Sequence, residues 1–450
     1  MNAQLNATAE IYEDRLEAGD SEASPDGTFA GVPFMLKDAG ATEAGRRYEL
    51  GSRLFKGFVP RETSNITRLF KAAGLVNLGR TTTPEGALAG TTESVLHGVT
   101  RNPWNLQLST GGSSGGAAAL VAAGVLPIAH GNDGAGSIRM PAAMCGLVGL
   151  KPSRGRVSMG PAADELGFGS VAEFVLTRSI RDAAAALDAV AVPQVGDPFV
   201  LARPEEGWLA GLEGEIGGLR VALAVGTNWR TGERLDLETV DAVAKTGALL
   251  TELGCIVDAN EPSFDHDAAY AYNAFCFNVN ALVFARVARA RGLELTDDLV
   301  EPVMISALEK LRRLDADQML RWQGKANPVR RQIGAFFENW DLLVTPSVPA
   351  SRVPLGVLSC SAFDDVDAFR AANEALQFAF TCPFNVTGQP AISLPLGQTG
   401  QQTPLGVQLV ARPGDEGLLL RVARALELAA PWSGRRPCVH VANERGEGAR

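Results

Sequence analysis

Short apolar runs alternate with longer stretches of helical spacing along most of the chain. Residues 31–37 read Gly-Val-Pro-Phe-Met-Leu-Lys, a run suited to a buried strand that ends on Lys37. The spacing predicts a helix over 63–73 and a strand over 75–79, then a helix over 117–124 and a strand over 125–130. Residues 219–225 read as a strand, 237–253 as a long amphipathic helix and 255–258 as a further strand. Near the end, 341–345 and 391–396 read as strands. The second turns through 397–400 into 406–411, a predicted hairpin, and 415–428 closes the core as a helix. This alternation predicts an α/β fold: a mixed, mostly parallel β-sheet covered by helices on both faces. No Pro/Ser-rich linker and no internal repeat divides the chain, so a single large domain over 1–450 is expected. Residues 443–450 are polar and read as a frayed tail.

Composition narrows the function classes. The 450 residues carry 41 basic and 51 acidic side chains, a net charge of −10, with 46% hydrophobic and 20% charged residues. This is the balance of a soluble globular protein rather than a disordered one. Acidity, with no long Lys/Arg block, argues against nucleic acid as a partner. The first residues have no basic and no apolar segment of a secretory signal. The apolar stretch 117–129 contains Gly124 and Pro127 and falls short of the ~20 residues of a membrane span. It reads as a buried core helix, and no membrane partner is expected. The six cysteines form no CxxC pair and read as free thiols in a reducing cytoplasm. With only 4 histidines there is little room for a His-rich metal site, and no metal is expected; no cofactor is expected either.

The glycines are unevenly placed. Ten of the 49 fall between Gly111 and Leu150, first as Gly111-Gly-Ser-Ser-Gly-Gly116, then around Gly131-Asn-Asp-Gly-Ala-Gly-Ser137. The first cluster precedes a buried helix instead of joining domains, which weakens a linker reading. A phosphate loop is disfavoured because no Gly-Lys-Ser/Thr follows and GxGxxG spacing is missing. In the second cluster, Gly134, Ala135 and Gly136 precede Ser137 with no side chain larger than methyl. Such a turn can present consecutive backbone N–H groups to one oxygen, as an oxyanion hole requires, with Ser137 the natural nucleophile. The same segment also fits a tight turn whose serine caps the next helix. Two bases remain open. His130 lies seven residues upstream, though no GxSxG elbow surrounds Ser137. Lys37 ends an apolar run, where burial would lower its pKa and leave a neutral amine able to accept a proton. Its alternative is a strand-end lysine paired with Asp38.

Together these segments resemble the amidase signature family. The resemblance runs through Val32-Pro-Phe-Met-Leu-Lys-Asp38, Pro84-Glu85 and Thr100-Arg-Asn-Pro-Trp-Asn105, and then the glycine-serine cluster 111–116. It continues through 131–142, Cys145-Gly-Leu-Val-Gly-Leu-Lys-Pro152, 383–393 and 404–410. It covers most of 30–155, the core with the triad, and 340–430, the C-terminal strands and helix. Residues 160–335 are much less constrained and would form the substrate-pocket region. The resemblance implies a Ser–cis-Ser–Lys triad: Ser137 as acyl-accepting nucleophile, Ser113 as the serine after a cis peptide bond, Lys37 as base. It implies backbone donors at Gly134, Ala135, Gly136 and Ser137, with Gly112, Ser114, Asp133 and Arg139 as supports, the last two as a buried pair. Where the family has Thr-Asp-x-Gly-Gly-Ser, this chain has Asn132-Asp-Gly-Ala-Gly-Ser137, and the Ala135 methyl is expected to crowd the oxyanion hole. His130-Gly-Asn-Asp, Thr91-Thr-Glu-Ser and the stretch 96–104 look most like the branch with cyclic nylon-oligomer and urethanase-like hydrolases. Members usually carry a helical segment before the equivalent of Asn2, which is either absent here or trimmed.

The resemblance implies an amidohydrolase acting on small neutral amides, with carbamates, esters or anilides as further candidates. The alternative is a glutamine- or asparagine-dependent amidotransferase subunit serving aminoacyl-tRNA amidation. A non-catalytic scaffold would have lost a triad member, and all three are present. The partner expected is a small-molecule amide or carbamate, the assembly a monomer or homodimer. Asn273, Cys276 and Phe380, with Trp322, are candidates for a hydrophobic pocket, although aromatics spaced as in 270–278 also fit plain core.

Overall fold

Alternate side chains of the central strands face two different apolar layers. Leu342 and Val344 pack in one buried cluster and Leu343 in the other. Ile392 and Leu394 oppose Ala391, and Val407 and Leu409 oppose Val410, in the same way. A sheet apolar on both faces must be covered on both. Helices Gly115–Ala122, Ile180–Val190 and Glu416–Ala429 contribute to the first layer, and His266–Asn278, Asn280–Ala290 and Pro302–Arg312 to the second. This computed structural model describes residues 1–444. The predicted tail begins inside the short helix Val441–Glu444, and 445–450 lie outside the described residues.

The sheet has eight strands in the order Ile256–Ala259, Arg220–Leu223, Leu342–Pro346, Pro404–Val410, Ala391–Gln398, Val148–Lys151, Ala172–Thr177, Ile128–Asp133. It is mixed, as expected, but not mostly parallel. Two neighbouring pairs are parallel and five are antiparallel. The expected crossover exists: Ile128–Asp133 and Val148–Lys151 run the same way, joined through helix Arg139–Cys145. Ala172–Thr177 is inserted between them, antiparallel to both, and the 391–410 hairpin adds further antiparallel pairs. Alternation along a sequence specifies crossovers; it does not say which strand comes to lie between their ends.

Every predicted strand and helix is present within three residues of its expected ends. The largest displacement is the strand predicted over 125–130, which forms at Ile128–Asp133. Gly124, at φ +74°, ends the preceding helix, and the turn through Pro127 delays the strand. The strand ending at Lys37, Pro33–Lys37, belongs to a separate three-stranded sheet with Val76–Thr81 and Thr8–Ile11. Among the described residues, no helix is long and apolar enough to cross a membrane.

Candidate active site

Lys37 is fully buried at its strand end, and its stem passes through the core to a polar pocket. Its Nζ lies 2.7 Å from Ser113 Oγ, 3.0 Å from Ser114 Oγ and 2.6 Å from Asn132 Oδ1. Burial pulls its pKa down from 10.5 to about 7, against the charges of Glu173 and Asp133, so a large fraction is neutral near pH 7. Lys151 is also held at about 7 by burial, but among the described residues its Nζ meets only the Pro152 carbonyl and stands on no serine. Geometry, not pKa, separates the two lysines. The Gly112–Ser113 peptide bond is cis. Gly112 is needed for close approach, since a Cβ there would lie 2.3 Å from the Thr91 carbonyl oxygen. Ser114 joins the parts: its N–H donates to the Ser137 carbonyl (3.2 Å) and its hydroxyl to the Asn132 carbonyl (3.3 Å).

Asp133 ends its strand and organises the turn that follows. Its carboxylate accepts the N–H groups of Gly136 (2.7 Å), Ile138 (3.2 Å) and Arg139 (3.3 Å). It also forms a buried ion pair with the Arg139 guanidinium, at 2.8 and 2.9 Å. Burial opposes its ionisation, but Arg139 and the Asn385 amide hold it well below the usual carboxylate range. Arg139 Nη1 donates to the Thr381 carbonyl and to Gln408 Oε1, tying the turn to the central sheet. The Gly136 N–H, expected among the oxyanion donors, is therefore directed at Asp133. Among the described residues, the N–H groups of Gly134, Ala135 and Ser137 find no acceptor. Gly136 has φ +131°, and a Cβ there would meet Thr381 Oγ1 at 2.3 Å, so glycine is required. The Ala135 methyl does not crowd the cavity as expected: Ala135 is 1% exposed and packs in the second apolar layer.

His130 is not placed as a base for Ser137. Its Nδ1 accepts the main-chain N–H of Lys37 (3.2 Å) and its Nε2 lies 2.5 Å from Glu173 Oε2, so both ring nitrogens are engaged. Asp38 does not pair with Lys37 either; it accepts the N–H groups of Glu49 and Gly51. Sequence reasoning missed Asn132 and Glu173 beside Lys37. The available signal was a lone carboxylate in the otherwise uncharged run Ala172–Thr177.

Ser113, Ser137, Gly134 and Asn132 open on a cavity of about 280 Å³, walled by Leu50, Phe55, Phe277 and Phe284 among others. Leu166 and Val283 stand half-exposed in its wall, and among the described residues no charged side chain lines it. Of the expected pocket residues only Cys276 is in the wall; burial raises its thiol to about 11, so it stays protonated. Asn273 instead props the turn: its Nδ2 donates to the Gly134 carbonyl (3.0 Å), and its Oδ1 accepts from Arg370 Nη2 (2.9 Å). Phe380 packs on Trp229 and Trp322 stacks on Phe275, both away from the cavity wall. Helical spacing places a residue on a face but does not name what that face meets.

A family model described as Amidase matches residues 1–420. The 6-aminohexanoate-cyclic-dimer hydrolase of Paenarthrobacter ureafaciens is 39% identical over 431 residues, 91% of this chain and 85% of that protein. The solved structure of a 6-aminohexanoate cyclic dimer hydrolase complexed with substrate superposes with a TM-score of 0.88 at 36% identity, covering 97% of this chain and 92% of that one. A glutamyl-tRNA(Gln) amidotransferase subunit from Thermotoga maritima is more distant, with a TM-score of 0.77 at 25% identity over 98% and 92% of the two chains. With the amidase model spanning nearly all of it and hydrolases of amide C–N bonds among its relatives, this chain belongs to the amidase family of amidase signature hydrolases.

Proposed function

We propose that this amidase hydrolyses small uncharged amides, cyclic or linear, through an acyl-enzyme on Ser137. The observation that carries the substrate class is the cavity wall: largely apolar, with the uncharged polar groups of Ser113, Ser137, Ser170, Asn132, Asn280 and Tyr48 and no charged side chain among the described residues. The name of the Paenarthrobacter relative supports it, since a cyclic dimer of 6-aminohexanoate is a neutral diamide. Ser137 Oγ attacks the amide carbonyl carbon as its proton passes to Ser113 and the Ser113 proton passes to neutral Lys37. The oxyanion is held by the N–H groups of Gly134, Ala135 and Ser137, which the Asp133-centred turn aims together. On collapse, Lys37 returns its proton through Ser113 to the leaving nitrogen and the amine departs. Water then attacks the ester by the same route and releases the acid.

The amidotransferase alternative fits less well. Glutamine and asparagine carry an α-ammonium and an α-carboxylate, which need charged or strongly polar partners, and among the described residues no charged side chain lines this cavity. The test is a panel of neutral cyclic and linear amides, carbamates, esters and p-nitroanilides, with glutamine included, read by release of amine or ammonia. Wild type is expected to turn over neutral amides with kcat/KM at least ~100-fold above that for glutamine, the scale set when a buried site cannot pair a substrate's polar groups. Equal or faster ammonia release from glutamine would overturn the substrate class.

The lysine base also predicts the pH profile. Only neutral Lys37 accepts a proton, and its pKa is about 7, so kcat/KM should rise with pH through about 7 and level off above it. A rate constant from pH 5.5 to 9 would contradict the assignment.

A further inference from the structure

Glu173 lies 2% exposed inside the protein and forms no part of the cavity wall. Its two oxygens take separate partners, Oε2 the His130 ring at Nε2 (2.5 Å) and Oε1 the Asn132 Nδ2 (3.4 Å). Each partner continues to Lys37: His130 Nδ1 accepts the lysine main-chain N–H at 3.2 Å, and Asn132 Oδ1 faces the lysine Nζ at 2.6 Å. One carboxylate therefore ends two relays that grip the backbone and the amine of the same residue.

The polarity of both relays follows from donor and acceptor chemistry. An Nδ1 that accepts from a peptide N–H leaves the ring proton on Nε2, aimed at Glu173. An asparagine that turns Nδ2 to Glu173 must turn Oδ1 to the lysine. Only a carboxylate offers acceptors to both; a glutamine would present a donor to one of them. The chain leaves no slack around this group. Gly40, at φ +85°, packs on it so closely that a Cβ there would lie 2.2 Å from Glu173 Oε1.

We propose that Glu173 is a positioning residue for the Lys37 amine, fixing the orientation of Asn132 and the tautomer of His130 and setting its negative charge against the lysine. The proposal rests on the reading of Lys37 as the base. The other ionisable groups facing this site are Asp133, whose charge adds to that of Glu173 at Lys37, and Tyr48, whose phenol burial keeps protonated. Arg80 lies behind the strand, donating through Nη1 to the Lys37 carbonyl.

The test compares purified Glu173→Gln, Glu173→Asp and Lys37→Met with wild type on one neutral amide. Glu173→Gln is expected to lower kcat by roughly 10- to 100-fold, part of what a positioned base contributes, with KM within about threefold. Its rising limb should move to lower pH, because removing a negative charge weakens the ammonium form of Lys37. Glu173→Asp keeps the charge but is too short for both partners, so kcat should fall while the limb stays in place. Wild-type kcat and limb in folded Glu173→Gln overturn the proposal. If Glu173→Gln does not fold, unchanged kcat in Glu173→Asp overturns it instead. Turnover retained by Lys37→Met would condemn the base assignment itself. An inactive Lys37→Met beside a wild-type-like Glu173→Gln condemns only the role of Glu173.

Discussion

Lys37→Met is expected to lower amide turnover by about 10⁴-fold or more, as removal of one member of a nucleophile–base unit does elsewhere. Methionine keeps most of the apolar stem in its buried channel and removes the amine that stands on Ser113, Ser114 and Asn132. Ser137→Ala should cost a similar factor, and the double variant little more than either alone, because groups that act in one proton transfer do not add. Folding should survive. In wild type, holding a lysine at about 7 instead of 10.5 disfavours the native state near neutral pH, by roughly 4 kcal/mol at 1.36 kcal/mol per pKa unit. The variant escapes this term and loses about 1–3 kcal/mol for each hydroxyl or amide left without its partner. The two effects largely offset, so a thermal melt near that of wild type should accompany the loss of activity. The sign of the wild-type term is fixed by a lowered lysine pKa: stability rises with pH between about 7 and 10.5, and the variant should gain less over that window. Substantial turnover in either single variant, or a double variant far worse than both, would sink the relay.

How much of this site was legible before the fold was known depends on how local its physics is. Glycine and serine at 111–116 and 131–137 announce themselves because close backbone approach and a positive φ, as at Gly136, are requirements of the chain itself. Lys37 was legible as a charged residue closing an apolar run. Glu173 was not, because its meaning comes from strand Ala172–Thr177 pairing beside Ile128–Asp133, a pairing that also broke the expected parallel order. The cavity wall was the least legible part. Asn273 and Cys276 sit three positions apart on one helix, yet the first holds the Gly134 carbonyl and the second faces the cavity. Spacing cannot distinguish two neighbours of one helix face; only the packing of 160–335 against the core does.

In the proposed mechanism the turn after Asp133 aims the oxyanion donors; it hangs on one buried ion pair, and Arg139→Met should expose that dependence. It would leave the Asp133 carboxylate without its guanidinium in a site both partners share at 0% exposure. Removing one partner of a buried pair costs about 3–5 kcal/mol, because the remaining charge is stranded. In wild type the depressed Asp133 pKa makes its contribution complete above the ordinary carboxylate range and lost only in strong acid. Without Arg139, burial becomes the dominant influence and raises that pKa, so the variant should be less stable at pH 8 than at pH 5, relative to wild type. Once protonated or displaced, Asp133 can no longer hold the N–H groups of Gly136 and Ile138 with both oxygens, and the proposed donors of Gly134, Ala135 and Ser137 should lose their common aim. Loss of one oxyanion donor costs roughly 10²- to 10³-fold in kcat, and disordering the turn should cost at least that. The double variant Asp133→Asn/Arg139→Met separates the two consequences: with no stranded charge it should regain much of the melting temperature at pH 8 while kcat stays low. A double variant that recovered kcat along with stability would mean the pair only holds the fold and does not aim the turn.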